Sequence, residues 1–376
     1  MRDIDQIFQL WRDTEKAGQS AVLGTVVKTS GSSYRLPGAR LLLTRTGQRA
    51  GSISGGCLED DLIKKAWWLS ENGPALRKYD TTPEGEIGSG FGLGCNGVIH
   101  VLLERLHPHQ PNILNVIETV RLSRQPAVIA HCIHPLETAG QRLIIGAEGG
   151  LNHNVQNAEV AEWLEQEART ALAGLSPQLS QRQQNEVFIE TVTPAIRLLV
   201  FGAGDDAVPV TELARFLGWS VSVFDGRAHY AKGEKFPSAD EVLVRKAGDS
   251  PTPNIDPWTV VILMTHSYSQ DLTILREMAA KPPRYVGILG PRKRSSQLIA
   301  EAGIPSSQFG PALHSPMGLD IGADGPEQVA LAVIAEIQAA LNGREGGQLR
   351  ERRGSIHARD ESSETSEAWV HSITCA

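Results

Sequence analysis

Two short stretches of the sequence set a thiol among glycines: Ser54-Gly55-Gly56-Cys57 and Gly92-Leu93-Gly94-Cys95-Asn96-Gly97. Leu58, Leu62, Ala66 and Leu69 follow Cys57 at helical spacing, which predicts a helix beginning at that cysteine. A thiol at a helix N-terminus faces free N–H groups and the positive end of the dipole, which stabilise its thiolate. A thiolate is a soft metal ligand and can carry sulfur as a persulfide. The glycines around Cys57 and Cys95 keep the backbone open to a bound group. The plainer reading is two inert structural thiols. There is no Cys-x-x-Cys and no His/Cys cluster, so a structural zinc site is not expected.

A third motif is Gly202-x-Gly204-x-x-Ala207, after the apolar run Ile196 to Phe201, with Asp225 closing the next apolar run. Glycines allow a tight turn and close approach to a phosphate, the following helix start attracts anions, and an acid about 20 residues on can hold a ribose diol. Asp205 and Asp206 lie in that turn and oppose an anionic pyrophosphate. A Rossmann scaffold that binds no dinucleotide is therefore the competing reading. His266 and Arg292, after later strands, are expected to point into the same crevice; capping or surface roles are the alternative.

The elements that must position these residues follow from periodicity. Residues 3–17 predict an amphipathic helix. Strands are expected at 21–27, 39–44 and 98–104, joined by loops that include 30–38, 51–57 and 85–97. Residues 107–111 look like a linker. Strands at 126–133 and 142–145 and a helix at 158–173 extend this first part. From Ile196 strands and helices alternate, which predicts a parallel sheet covered on both faces. A last helix spans 327–341, and the polar, charged residues beyond it are expected to be disordered. The fold class is α/β: an N-terminal α/β domain with glycine-rich loops over 1–192, a Rossmann-like doubly wound parallel sheet over 193–341, and a tail over 342–376.

The chain has 376 residues, 41% hydrophobic and 21% charged, enough for buried cores in two or three domains. Its net charge of -7 and the absence of a basic stripe argue against nucleic acid. No apolar run approaches the ~18 residues a membrane helix needs. No signal peptide is visible, and the four scattered cysteines read as reduced thiols, so a cytoplasmic location is expected.

With these residues in hand, the chain resembles the XdhC/CoxI family of molybdenum-hydroxylase accessory proteins. The resemblance rests on Gly31-Ser-Ser-Tyr-Arg-Leu-Pro-Gly-Ala-Arg40, Gly51-Ser-Ile-Ser-Gly-Gly-Cys-Leu-Glu59 and Gly92-Leu-Gly-Cys-Asn-Gly97 in the first part. In the second it rests on Phe201-Gly-Ala-Gly204, Asp225-Gly-Arg227, Thr265-His266, Tyr285-Val-Gly-Ile-Leu-Gly290 and Gly318-Leu-Asp-Ile-Gly-Ala323. It implies a chaperone that binds molybdenum cofactor and delivers it to an apo-molybdenum hydroxylase of the xanthine dehydrogenase type. It further implies a cysteine desulfurase as sulfur source and a homodimer. On this resemblance Cys57 and Cys95 contact the metal or pass sulfur, while Arg40, Ser54, Gly55, Gly56 and Gly94 cradle the pterin phosphate. The chain departs from the family at Asp205-Asp206, where the turn commonly reads His-Val, and at Asn96, where glycine is common.

Two other readings stay open. One is an NAD(P)-dependent oxidoreductase using Gly202, Gly204 and Asp225, with His266 as its proton-transfer residue. The other is a ligand-sensing module without catalysis or cofactor transfer.

Overall fold

A computed structural model describes residues 2–31, 33–81, 97–146, 148–175, 177–246, 248–249, 253–351 and 373–374. The chain divides into two units, one running to Pro194 and the other starting at Ala195. Cys95 and Gly94 lie outside the described residues, as does most of the expected tail.

The first unit opens with α1 (Arg2–Lys16), whose Ile4, Ile7, Phe8 and Trp11 repeat at helical spacing and are buried. There follow β1 (Ala21–Gly31), β2 (Arg40–Thr44), β3 (Arg49–Gly51), α2 (Cys57–Leu69), β4 (Ala75–Asp80) and β5 (Gly97–Leu106). These strands make one antiparallel sheet in the order β3-β2-β1-β5-β4. Next come α3 (Ile113–Ser123), β6 (Ala127–His134), β7 (Arg142–Gly146), β8 (Leu151–His153), α4 (Ala158–Gly174), β9 (Gln178–Arg182) and β10 (Asn185–Thr193). Here β10, β6, β7 and β8 are neighbours in a second antiparallel sheet. The short strand Ile373–Thr374 pairs with β10.

Because side chains alternate along a strand, each sheet has two apolar faces. Outer rows such as Val101 and Leu103 of β5 pack under Leu58, Leu62 and Ala66 of α2. Val187 and Ile189 of β10 pack with Trp163 and Leu164 of α4. The inner rows face each other: Val27 and Leu102 meet Ile133 and Phe188. Polar residues share this interior: Arg40 with Glu190, and Arg142 with Glu104.

The second unit comprises β11 (Arg197–Phe201), α5 (Ala207–Phe216), β12 (Ser220–Asp225), β13 (Glu241–Val244), β14 (Thr259–Leu263), α6 (Tyr268–Ala280), β15 (Tyr285–Ile288), α7 (Arg292–Ala302), β16 (Leu313–His314) and α8 (Pro326–Leu341). These strands are parallel, in the order β13-β12-β11-β14-β15-β16. That is the doubly wound dinucleotide-fold order. The buried runs of β11 and β14 fit a sheet covered on both faces.

Candidate functional site

The first sheet gathers its loops at one end. β1 finishes at Gly31, opposite the first residue of β5, Gly97. β4 finishes at Asp80, opposite Val98. β2 begins at Arg40, and β3 ends at Gly51 opposite Leu41. The connections 32–39, 52–56 and 81–96 therefore all leave from the same end, and the last two carry the approach to Cys57 and the residue Cys95. The third connection is drawn together at its base. Thr81 N–H donates to the Gly97 carbonyl at 2.9 Å, and the Thr81 hydroxyl to the same oxygen at 2.7 Å.

One buried carboxylate organises the 52–56 loop. Glu59, in the first turn of α2, accepts from the Ser52 hydroxyl at 2.9 Å and from the Ile53, Ser54 and Gly56 N–H groups at 3.0, 2.8 and 3.0 Å. The Ser54 hydroxyl donates to its second oxygen. Burial alone would raise the Glu59 pKa; the Ser54 side chain and backbone donors outweigh it and hold the carboxyl below its usual range. Gly56 has φ +119°, open chiefly to glycine, and turns the chain into α2 so that Cys57 is its first residue. Among the described residues nothing stands within 4 Å of where a side chain on Gly55 or Gly56 would project. Gly51 is enclosed instead: φ is +80°, and a Cβ would collide with the Arg40 carbonyl and Ile7.

The loop thus offers small residues and a helix start at Cys57, on a frame fixed by Glu59. The sequence marks Glu59 only as an acid suited to the helix dipole. Its reach back to the N-cap N–H is the capping-box pattern, legible from its place three residues after Gly56. Glu59→Gln keeps the shape but puts an amide among donors. It is expected to lower stability by about 3 kcal/mol, a fall in Tm of roughly 6–12 °C by calorimetry for a unit of this size. An unchanged Tm would show that the loop does not depend on the charge. The stabilisation belongs to the ionised form, so in the wild type it is present above about pH 4.5 and is lost as pH falls through the lowered folded-state pKa.

Arg40 is not at this surface. Its side chain is 5% exposed, and it donates to Glu190 at 2.6 Å and to the Gly38 carbonyl at 2.9 Å. It belongs to the interior between the sheets, which corrects the expectation that it cradles a phosphate. The reason is alternation: Arg40 shares the inner face of β2 with Leu42.

In the second unit, the turn after β11 and the turn after β14 flank the point where strand order reverses, the usual ligand crevice of this fold. Gly202 has φ +119°, and a Cβ there would collide with the Met264 carbonyl. His266 has φ +57° and reaches across to Asp206, Nε2 to Oδ2 3.0 Å. Asp205 pairs with Lys235 at 2.7 Å, and Lys235 also donates to the Ala203 carbonyl at 2.8 Å. Gly202, Gly204, Asp225 and His266 thus lie at the same end of the sheet. Arg292 is exposed at the start of α7, and its neighbour Arg294 makes the buried contact, to Asp271 at 2.7 Å.

Asp225 is already committed. Its oxygens accept from the Ala203 N–H at 2.9 Å, the Arg227 N–H at 2.9 Å, and the Arg227 guanidinium at 2.9 and 2.8 Å. Burial pushes its pKa up, but these donors, Arg227 first, hold it down at about 2. Arg227 in turn lies 4.0 Å over the Tyr230 ring. Asp225 is thus occupied by protein donors, and the two carboxylates at the start of α5 each have a basic partner, Lys235 and His266.

Family models match in two places: "XdhC and CoxI family" over residues 15–80 and "XdhC Rossmann domain" over 198–337. A Bacillus subtilis protein named as a probable xanthine dehydrogenase subunit is 32% identical over 85% of this chain and 92% of its own. The Escherichia coli protein named "Molybdenum cofactor insertion chaperone PaoD" is 25% identical over 85% of this chain and 83% of its own. A crystal structure described as a xanthine dehydrogenase from Bacillus halodurans superposes with a TM-score of 0.76 at 29% identity, covering 92% of this chain and 97% of that one.

Proposed function

We propose, from the premise that this chain belongs to the XdhC and CoxI family, that it is a molybdenum cofactor insertion chaperone for a xanthine dehydrogenase-type hydroxylase. The observation that carries the reading is the convergence of the 52–56 and 81–96 connections at one end of the first sheet. Two connections that leave one end of the sheet, each with a thiol and several glycines in its sequence, suit a large, anionic, sulfur-rich cargo better than they suit a packed core. The relatives' names, in one case an insertion chaperone, support the same cargo.

In this reading Cys57, the first residue of α2, and Cys95 are the soft donors that face the metal. Ser54, Gly55, Gly56 and Gly94 leave room for the pterin phosphate beside that helix start. Glu59 holds the loop open without presenting its charge, because the protein's own donors occupy it. The chain binds and hands over; it performs no turnover. Its client is an apo-hydroxylase, a cysteine desulfurase supplies sulfur to the held cofactor, and two copies associate. Its domains are residues 1–192 and 193–341, followed by a polar tail over 342–376. The setting is cytoplasmic; among the described residues no helix is long and apolar enough to cross a membrane. The acidic start of α5 and the Asp225–Arg227 pair favour this reading over a nicotinamide oxidoreductase.

The test is anaerobic mixing with molybdenum cofactor, then gel filtration and measurement of molybdenum and pterin in the protein peak. Wild type is expected to retain cofactor, and Cys57→Ala or Cys95→Ala to lose most of it. Retention unchanged in both variants would remove the site from these loops. A wild-type peak free of cofactor would overturn the chaperone reading itself.

A further inference from the structure

The outward side of α2 carries a row of residues that cofactor binding does not use. Cys57, Asp61, Lys64 and Trp68 follow one another at spacings of four, three and four, which places them along one line of the helix. Leu58, Leu62 and Ala66 form the line turned to the sheet. Trp68 is 72% exposed, and among the described residues its indole N–H has no acceptor. It lies eleven residues from Cys57, roughly 16 Å at about 1.5 Å per residue.

A lone exposed apolar side chain is ordinary on a protein surface. This one stands on a prepared base. Its neighbour Trp67 is half-buried, donates Nε1–H to the Thr44 carbonyl at 3.4 Å, and has the Arg45 and Arg105 guanidiniums over its ring at 5.2 and 5.4 Å. Arg105 also donates to the Ser70 hydroxyl at 3.2 Å and to the Trp67 carbonyl. The last turn of α2 is thus tied to β5 and to the turn after β2, which makes a firm platform for Trp68. A rigid aromatic ring gives large contact area at little cost in freedom.

The charge around Trp68 is positive, although the chain carries -7. Asp60 and Asp61 are answered by Arg49 at 3.6 Å and Lys65 at 2.6 Å. Lys64 and Arg45 are exposed and have no carboxylate partner among the described residues; Glu71, just past the helix, is the nearby acid that offsets them. A second copy docked face to face would set these cations against each other, so the face suits a partner that brings carboxylates.

We infer that this face of α2 is where an acidic protein partner docks, seating Trp68 in an apolar cleft and pairing carboxylates with Lys64 and Arg45. The inference rests on the function proposed above, which makes that partner the apo-hydroxylase. A client held at Trp68 lies along the same helix that begins at Cys57.

The affinity of purified apo-hydroxylase for the full chain, measured by surface plasmon resonance at low and high salt, tests the inference, with cofactor retention on gel filtration read in parallel. Wild type is expected to bind, more weakly at high salt. Trp68→Ala is expected to weaken binding about ten-fold or more, and Lys64→Glu about five-fold at low salt, with cofactor retention unchanged in both. Alanine suits an exposed helix position better than tryptophan, so Tm should not fall. Equal affinity in wild type and Trp68→Ala overturns the inference, as does a wild type that does not bind the hydroxylase. A Trp68→Ala chain that turns from dimer to monomer by light scattering at unchanged hydroxylase affinity would give the face to a second copy and overturn it too. A wild type that binds the hydroxylase through Trp68 but retains no cofactor would strike the proposed function and leave the docking face standing.

Discussion

Glu190→Ala is expected to destabilise the first unit by about 3–5 kcal/mol, the cost of taking the buried carboxylate away from the Arg40 guanidinium. Glu190 is fully buried and receives Arg40 at 2.6 Å and the His131 ring at 3.3 Å. Burial would raise its pKa, but Arg40 and the His131 hydrogen bond hold it at about 2. Most of the loss comes from the abandoned charge rather than from the missing attraction. The double variant Arg40→Met with Glu190→Leu should therefore recover most of the stability, since both charges leave together. Urea unfolding of the three proteins decides this. A double variant as weak as Glu190→Ala would mean that shape rather than charge governs the site.

The same cluster gives an acid signature. Burial lowers the folded-state pKa of His131 below 6.5. The unfolded chain then binds a proton that the folded one refuses, so this contribution is present above about pH 6.5 and declines below it. Glu190 adds a further loss as pH falls from 4.5 toward about 2. Tm is expected to decrease between pH 7 and 5, and His131→Asn to flatten that part of the curve.

Gly202→Ala is the second large effect. At φ +119° a side chain is strained whatever the space, and here the Cβ would enter the Met264 carbonyl, which is backbone and fixed by a bond from Met264 N–H to the Phe201 carbonyl at 2.7 Å. The chain must move β11 away from β14 to accommodate it, which strains the centre of the sheet. A loss of about 4 kcal/mol or more is expected, at the upper end for single substitutions. Calorimetry should show the transition of the second unit shifted far down while that of the first, which contains α2 and β1, keeps its temperature. Gly55→Ala, whose Cβ meets nothing within 4 Å among the described residues, is the contrasting control and should leave both transitions in place.

These residues also show what the sequence can say. The second unit is legible because its signals are local: an apolar strand, a glycine turn and an acid at fixed spacing fall within thirty residues of one another. The helix beginning at Cys57 is legible for the same reason. Arg40 is not, because the residue that claims it lies far along the chain in another sheet, and nothing near Arg40 announces Glu190. Residues 107–192 are read only in part: α3 and β10 go unrecognised, although α3 carries Ile113, Leu114, Ile117 and Val120 at helical spacing and an Asn112 cap. Asp225 is placed correctly, yet its availability is not readable. Arg227, two residues away, turns a ribose acceptor into half of an ion pair. Glu59 stands in plain view; only the fold shows that its acceptors are filled by the loop itself.

The His266–Asp206 contact bridges the mouth of the crevice between the turns after β11 and β14. Both side chains reach solvent, His266 being 60% exposed, so the contact contributes about 1 kcal/mol at most. Such a bridge is a turnstile rather than a wall. An incoming group has only to exchange with a carboxylate or an imidazole already in place.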